Sequence, residues 1–410
     1  MLTRTNPKNG EALSALGFGV MRLPSKKTPD ETGAVALLRE AVRSGVTYFD
    51  TAFVYSGGRN EQLLGKALSG EYRGLARIAT KLPPYMIGKL DAAKKMLATE
   101  LARLQTDHVD YYLMHMLMDR AMLDRLAGLG VLAWLEDLKR QGVVRNIGFS
   151  FHGVKDDFAE LIRAYPWDLV QIQYNYLDEN AQATRDGLRL AASLGIPVVV
   201  MEPLRGGQLV ANLPEEVLSA FAAAHPEWSP AEWALRWLWD QPEVTVVLSG
   251  MGDAKELAEN VRIAAECRPG SLGEAERAVF ERVKGILLEK TKVPCTGCYY
   301  CMPCPYGVDI PGCFQQLNDK HRVKGAHGVF KYAQALGALS ARPGFASICT
   351  ECGKCEPKCP QRIAIRKELK AVAREMEGPL FRPVVGAARF VMRSGRRRKG
   401  EVHGEGHPHG

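Results

Sequence analysis

No stretch of the 410-residue sequence holds the ~20 consecutive apolar residues that a membrane helix needs. The first residues are polar and charged where a secretory leader would carry an apolar core. Both absences lead to an expected cytoplasmic location with no membrane span. Charge of one sign is scarce too. Lys and Arg number 54 against 46 Asp and Glu, a formal net charge of +8. Arg393, Arg396, Arg397, Arg398 and Lys399 crowd one tail, so a nucleic-acid-binding surface is not demanded. Missing as well is a GxGxxG turn after the first strand, which counts against an open dinucleotide-binding sheet. Scattered cysteines are nearly absent: eight of the ten fall in two tight clusters, a pattern of metal ligation rather than of disulfides. At this length two domains are a better expectation than one core.

What is present begins as an alternation of strands and helices. Strands are expected at Gly17–Met21, Thr47–Asp50, Ala76–Leu82, His108–His115, Val144–Ser150, Leu169–Asn175, Pro197–Pro203 and Val244–Gly250. Helical patterns separate them, for example Pro29–Ser44, with apolar Ala34, Leu37, Leu38, Ala41 and Val42 on one face. Thr28 is expected to cap that helix, with Pro29 in its first turn and Glu31 completing a capping box. Eight strands with intervening helices predict a closed parallel (β/α)8 barrel, whose chemistry gathers at the C-terminal ends of the strands. Three of those strands close on a polar residue at or near the end: Asp50, Lys81 and His115. Tyr55 follows Asp50 on a short turn.

In these four residues the chain resembles the aldo-keto reductases, over about its first two-thirds. The resemblance implies a TIM barrel and reduction of an aldehyde or ketone with NADPH or NADH. It makes Tyr55 the general acid, lets Lys81 and Asp50 tune it, and has His115 orient the carbonyl. The chemistry agrees, since an unperturbed tyrosine has a pKa near ~10 and a neighbouring ammonium makes it a better acid. For the cofactor the resemblance points to Ser150 (in Gly148-Phe149-Ser150-Phe151-His152-Gly153) and Gln171 at the nicotinamide amide. Met201 stands where many members stack an aromatic ring. Leu204 and Gly206, in Leu204-Arg205-Gly206-Gly207, lie toward the pyrophosphate. Ser249, Gly250, Lys255, Glu259 and Asn260 lie toward the adenosine end. Position 256 is Glu where members often carry Arg for the 2′-phosphate, and Lys255 is the alternative cation for NADPH. Apolar mouth loops at Pro83-Pro84-Tyr85 and Met116–Met122 fit a hydrophobic carbonyl compound.

The C-terminal third changes character. Cys349-x2-Cys352-x2-Cys355-x3-Cys359-Pro360 matches the bacterial ferredoxin run for a [4Fe–4S] centre, whereas structural zinc sites tend to use separated pairs of ligands. The earlier run, Cys295-x2-Cys298-x2-Cys301-x2-Cys304-Pro305, is one residue short in its last spacing. By resemblance to two-cluster ferredoxins, Cys295, Cys298 and Cys301 pair with Cys359, and Cys349, Cys352 and Cys355 pair with Cys304. Cys313 is the alternative to Cys304, and a single cluster is the alternative to two. Cys267 reads as a packing residue.

The expected organisation is a barrel over 1–270, a connecting helix over 271–290, a mainly helical ferredoxin-like domain over 291–376, and a basic tail over 377–410, rich in Gly and His at its end (His403, His407, His409). The expected function is an NAD(P)H-dependent oxidoreductase acting on a small carbonyl substrate and coupled to an electron-transfer module with a separate redox protein as partner. The alternative is an electron-transfer or redox-sensing protein that keeps the barrel as a nucleotide-binding scaffold. A third reading makes the clusters mere staples of the C-terminal module.

Overall fold

The protein is described by a computed structural model. It describes residues 1–379 other than 26, 154, 323–328 and 337–342, together with 381, 383 and 385. The tail residues Arg393 to Lys399 and His403, His407 and His409 lie outside the described residues. The chain divides into two compact units. One comprises Met1–Val210 with Ala220–Lys284, the other Ala211–Ser219 with the chain from Gly285 onward.

A short antiparallel hairpin, β1 (Thr3–Thr5) with β2 (Ala12–Ser14), opens the first unit. All eight expected strands follow: β3 (Leu16–Gly19), β4 (Tyr48–Asp50), β5 (Arg77–Leu82), β6 (Val109–Leu117), β7 (Val144–Phe151), β8 (Leu169–Gln173), β9 (Val198–Met201) and β10 (Val244–Ser249). They close into a barrel in chain order, every pair parallel, with β10 returning to β3.

Side chains alternate along a strand with period two. Tyr48, Ala79, Tyr111, Leu113, Leu169, Val199, Val246 and Leu248 form one buried cluster, to which the hairpin adds Leu13. The residues in phase with that cluster at the strand ends are therefore inward as well: Asp50 after Tyr48, Lys81 after Ala79, His115 after Leu113, Gln171 after Leu169 and Met201 after Val199. Apolar layers fill the barrel and leave one polar layer at its C-terminal end, which is where this architecture does chemistry.

The first long helix runs Glu31–Arg43, and its cap is Asp30, whose side chain accepts from the Gly33 amide. The Thr28 hydroxyl is engaged elsewhere, donating to the Gly252 carbonyl at 2.8 Å. Two adjacent capping residues compete for one helix start, and the tertiary contact decides between them.

The second unit is mainly helical, with helices Ile310–Arg322, Val329–Ala335 and Ile365–Met376. The last shows why it folds. Ile365, Leu369, Val372 and Met376 recur at helical spacing and are buried, while Arg366, Lys367, Lys370 and Arg374 are exposed. Each buried side chain of that face contributes ~1.5–3 kcal/mol. They pack with Val308, Phe314, Leu317 and Phe345 into a core against which six of the clustered cysteines lie. Asn318 ties the entering chain to this core, donating to the Val293 carbonyl at 2.7 Å and accepting from the Lys292 and Val293 amides. The helix that opens the C-terminal third runs Glu274–Lys290.

Candidate active site and cysteine cavities

The barrel mouth is built around a fully buried ammonium. Lys81 Nζ donates to Asp50 Oδ1 at 2.6 Å and to the Thr51 carbonyl at 2.7 Å, and its side chain has no exposed surface. The same nitrogen lies 5.1 Å from the centroid of the Tyr55 ring. The His115 ring meets Tyr55 edge-on, with centroids 5.6 Å apart and planes at 84°. All four residues named from the sequence thus converge.

Local backbone devices aim two of them. Tyr55 begins a tight turn in which Ser56, Gly57 and Gly58 all have positive φ. A side chain at Gly58 would meet the Arg103 guanidinium at 2.3 Å. Arg103 grips the turn, donating to the Phe53 carbonyl and to Glu61 and lying over the Phe53 ring. His115 sits where the β6–β7 register breaks between Met114 and Leu117, with Met116 at φ 56°. Such a bulge re-aims a side chain at the rim of a barrel.

Burial sets the electrostatics. It pushes the Lys81 pKa down, an effect that Asp50 partly offsets, and pushes the Asp50 carboxyl up against the pull of Lys81. Burial first, and then the charge of Lys81, hold His115 well below the usual histidine range, so it is a neutral hydrogen-bonding group near pH 7. Behind Lys81, Thr80 faces out of the barrel and donates to Glu61 Oε1 at 2.7 Å. A hydroxyl has one hydrogen, so its further 3.2 Å contact with Glu100 Oε1 is satisfied only if one of the two carboxyls carries a proton. Burial first, and then the Glu61 charge, raise Glu100 well above the carboxylate range, in agreement.

A second network was not legible as a site in the sequence. His152 Nδ1 lies 3.2 Å from Gln182 Oε1, Gln182 Nε2 donates to Gln173 Oε1 at 2.7 Å, and Gln173 Nε2 donates to Asp178 Oδ2 at 3.3 Å. Asp178 also faces Arg205 Nε at 3.0 Å. A carboxylate only accepts, so the chain of amides has one direction, and His152 must carry its proton on Nδ1. Burial first holds the His152 pKa down at about 4. His152 and Arg205 stand in two of the motifs quoted above, but nothing in the spacing joins them to Gln173, Asp178 and Gln182.

The expected cofactor residues are disposed as follows. Ser150 and Gln171 are paired neighbours on β7 and β8. The Ser150 hydroxyl accepts from the Met116 amide at 3.0 Å, which leaves its hydrogen to donate. Gln171 Oε1 is buried with no hydrogen-bond partner among the described residues, while its Nε2 faces Met201 Sδ at 3.6 Å. One spare donor and one spare acceptor are what a carboxamide needs, so this pair fits a nicotinamide. Gly206 has φ 67°, and its carbonyl accepts from Arg22 at 3.0 Å; Leu204 precedes it, half-buried. At the far end Asn260 donates to Ser249 Oγ at 2.9 Å. Gly250 and Lys255 are exposed and Glu259 is half-buried nearby in sequence. Glu256 accepts from the Gly252 amide and from Lys27.

In the second unit the two cysteine loops share one conformation. Gly297 and Tyr299 have positive φ in the first, Glu351 and Gly353 in the second. In each, an amide two residues on donates to the leading sulfur at 3.4 Å, Gly297 to Cys295 and Glu351 to Cys349. Two cavities result. One, of about 210 Å3, is lined by five thiols, Cys301, Cys304, Cys349, Cys352 and Cys355. The other, tighter at about 10 Å3, is lined by Cys295, Cys298, Cys301 and Cys359. Each cavity thus combines thiols of both loops, and Cys301 lines both. Burial and then Cys298, Cys295 and Cys359 raise the Cys301 thiol; burial raises Cys355, with Cys349 and Cys304 adding to it. Cys313 lines neither cavity; it is buried, with Sγ 3.4 Å from the Gly344 carbonyl. Cys267 is buried as well. Among the described residues no group of three or more His, Cys, Asp or Glu side chains is arranged to hold a single metal ion. Four thiols spread around a cavity suit a cluster better than one zinc ion.

Among the described residues no helix is long and apolar enough to cross a membrane. A family model described as "Aldo/keto reductase family" matches residues 15–268, and one described as "4Fe-4S dicluster domain" matches residues 294–365. L-Galactose dehydrogenase from Arabidopsis thaliana is 29% identical over 313 residues, which cover 68% of this chain and 93% of that protein. The holo form of an aldo-keto reductase from Bacillus halodurans aligns with TM-score 0.57 and 28% identity, covering 69% of this chain and 96% of that one. An aldo-keto reductase from Klebsiella pneumoniae in complex with NADPH agrees in fold, with TM-score 0.58 and 23% identity over 69% of this chain and 96% of that one.

Proposed function

The chain belongs to the aldo/keto reductase family and is an oxidoreductase with a 4Fe-4S-type C-terminal domain, and on that premise we propose that it reduces an aldehyde or ketone with NADPH at the mouth of the barrel. The observation that carries this reading is the buried Lys81 ammonium, locked to Asp50 at 2.6 Å and facing the Tyr55 ring at 5.1 Å. A positive charge held there without water stabilises a phenolate, so it makes the Tyr55 hydroxyl a better acid. Tyr55 gives its proton to the carbonyl oxygen as charge develops there. His115, neutral by burial, donates a hydrogen bond to the same oxygen and turns the carbonyl carbon toward the nicotinamide side. Asp50 fixes the ammonium and keeps it charged. Ser150 and Gln171 would hold the carboxamide, and Met201, beside Gln171, would take the place of the stacking residue. Leu204 and Gly206 approach the pyrophosphate, while Ser249, Gly250, Lys255, Glu259 and Asn260 hold the adenosine end. NADPH, when bound, supplies the hydride. The holo form of the aldo-keto reductase from Bacillus halodurans supports a bound cofactor on a barrel of this kind. The Lys255 side chain is the reason to prefer NADPH to NADH.

In the second unit Cys304, Cys349, Cys352 and Cys355 would hold one [4Fe–4S] cluster and Cys295, Cys298, Cys301 and Cys359 a second. The repeated loop conformation and the crosswise sharing of thiols support two. The tightness of the second cavity supports the single-cluster alternative. Thiolates kept as ligands fit a reducing compartment such as the cytoplasm.

The test is a steady-state assay with NADPH and a panel of aldehydes and ketones, run on the wild type and on Tyr55→Phe. Turnover is expected to fall ~10²–10⁴-fold in the variant with NADPH affinity unchanged. Absence of turnover by the wild type, with NADPH bound, would overturn the carbonyl-reductase reading. Cluster redox behaviour that persists without any turnover would favour the scaffold alternative.

A further inference from the structure

The two cysteine cavities differ in charge. The one bounded by Cys304, Cys349, Cys352 and Cys355 is also lined by Lys354, Lys358 and Arg366, and by no acidic side chain. The one bounded by Cys295, Cys298, Cys301 and Cys359 is lined by no Lys, Arg, Asp or Glu. Both cysteine segments line both cavities, so the contrast lies in the lining side chains themselves. The basic side chains come from residues 349–374, which carry seven basic and three acidic side chains. Two of the three acids in the basic segment are already engaged, Glu356 by Arg366 and Glu351 by Lys370. Lys354, Lys358, Arg362 and Lys367 are exposed and form no ion pair among the described residues. Cys352, two residues before Lys354, is exposed too. Tyr306, half exposed, lines the same cavity and offers an aromatic platform beside the cations. Weak electron-transfer encounters bury little area, and charge complementarity around the accessible centre governs their encounter rate.

We propose that the rim of the Cys304/Cys349/Cys352/Cys355 cavity docks a small acidic protein that carries one electron, and that this cavity is the port for electrons entering or leaving the second unit. The proposal rests on the reading that these thiols hold an iron–sulfur centre. In the transfer one electron passes from the carrier's reduced centre, which is oxidised, to the centre held by the four thiols, which is reduced. No bond forms or breaks and no proton moves. The other cavity has no charged rim to recruit a partner.

The probe is a flavodoxin, a small acidic one-electron carrier, titrated by calorimetry into the anaerobically reconstituted full chain at 50 mM and 300 mM NaCl. Iron and sulfide are counted first. Three variants are compared with the wild type: Lys354→Glu with Lys358→Glu, Arg362→Glu with Lys367→Glu outside the cysteine loop, and the control Lys94→Glu with Lys95→Glu on the exposed face of the barrel helix Leu90–Leu104. The expected result is binding by the wild type that weakens at least tenfold at the higher salt. A tenfold or greater loss is expected in the Lys354/Lys358 variant, a smaller one in the Arg362/Lys367 variant, whose side chains do not line the cavity, and none in the control, with iron content unchanged. Electron transfer from reduced flavodoxin, followed by stopped flow, should fall in parallel. No binding with clusters intact, or equal loss in rim variants and control, would overturn the port. So would binding of the rim to phosphatidylserine vesicles with none to flavodoxin. An iron count of zero instead overturns the cluster reading beneath it.

Discussion

His152 offers a direct measure of how dry the barrel mouth is. The side chain is almost fully buried, and its pKa is held down at about 4, against ~6.5 in an unfolded chain. A depressed histidine pKa means that the unfolded chain takes the proton first. The stability this group contributes is complete above pH 6.5, is lost as the pH falls toward 4, and changes no further below that. Between pH 7.5 and pH 4.5 the loss amounts to about 2.5 kcal/mol. His152→Asn removes the titration and keeps an amide where Nδ1 now faces Gln182. The variant should therefore lose about 2.5 kcal/mol less than the wild type over that interval, whatever its stability at pH 7.5. His115 and the carboxylates titrate in both proteins and cancel. All six tryptophans lie between residues 134 and 239, within the first unit, so urea unfolding followed by tryptophan fluorescence reads the barrel alone. Parallel acid profiles in the two proteins would refute the argument, and with it the claim that the pocket beside Lys81 is dry enough to keep histidines neutral.

Lys81→Met deletes the ammonium and leaves the Asp50 carboxylate buried without its partner, which should cost ~3–5 kcal/mol. Adding Asp50→Asn should restore much of it, as urea midpoints will show, without restoring turnover. Cys304→Ser should lower bound iron and acid-labile sulfide by about one cluster, whereas Cys313→Ser, outside both cavities, should leave both counts unchanged. An EPR-monitored redox titration should show two steps, the higher belonging to the cavity with the cationic rim. Reversing Lys354 and Lys358 to Glu should lower that step by tens of millivolts and leave the other in place.

The barrel and its quartet were legible for one reason. Strands read in phase 2 end on a residue whose polarity breaks an apolar run, and Asp50, Lys81 and His115 are such residues, each in register with the inner cluster. The hairpin at Thr3–Ser14 was not legible, because three-residue strands carry too little alternation to register. Nor was the helix cap, since Thr28 and Asp30 are both good caps and only the contact with Gly252 separates them. The amide chain from Asp178 to His152 joins the end of β8 and two loops through side chains, and Glu100 meets Thr80 only once strand and helix are packed. Local pattern reports which face a residue occupies. It does not report which distant side chain completes its hydrogen bonds. The choice between Cys304 and Cys313 has the same character. Spacing leaves both open, and the fold places only Cys304 on a cavity with the other loop's thiols.

The chemistry proposed for the two units differs in electron count, and the two cavities bear on that difference. A hydride carries two electrons, while a [4Fe–4S] centre exchanges one. With a single cluster the second unit would have to act twice for each carbonyl reduced. With a centre in each cavity its capacity is two electrons, equal to one hydride. The asymmetry of the rims then gives the pair a direction. Cations around one centre would raise its potential relative to the other, so in a half-reduced unit the electron would reside mainly at the basic rim, where the proposed carrier docks. The neutral cavity would hold the second electron only when the first site is full. Two centres alike in charge would share a single electron evenly and leave it half the time away from the docking face.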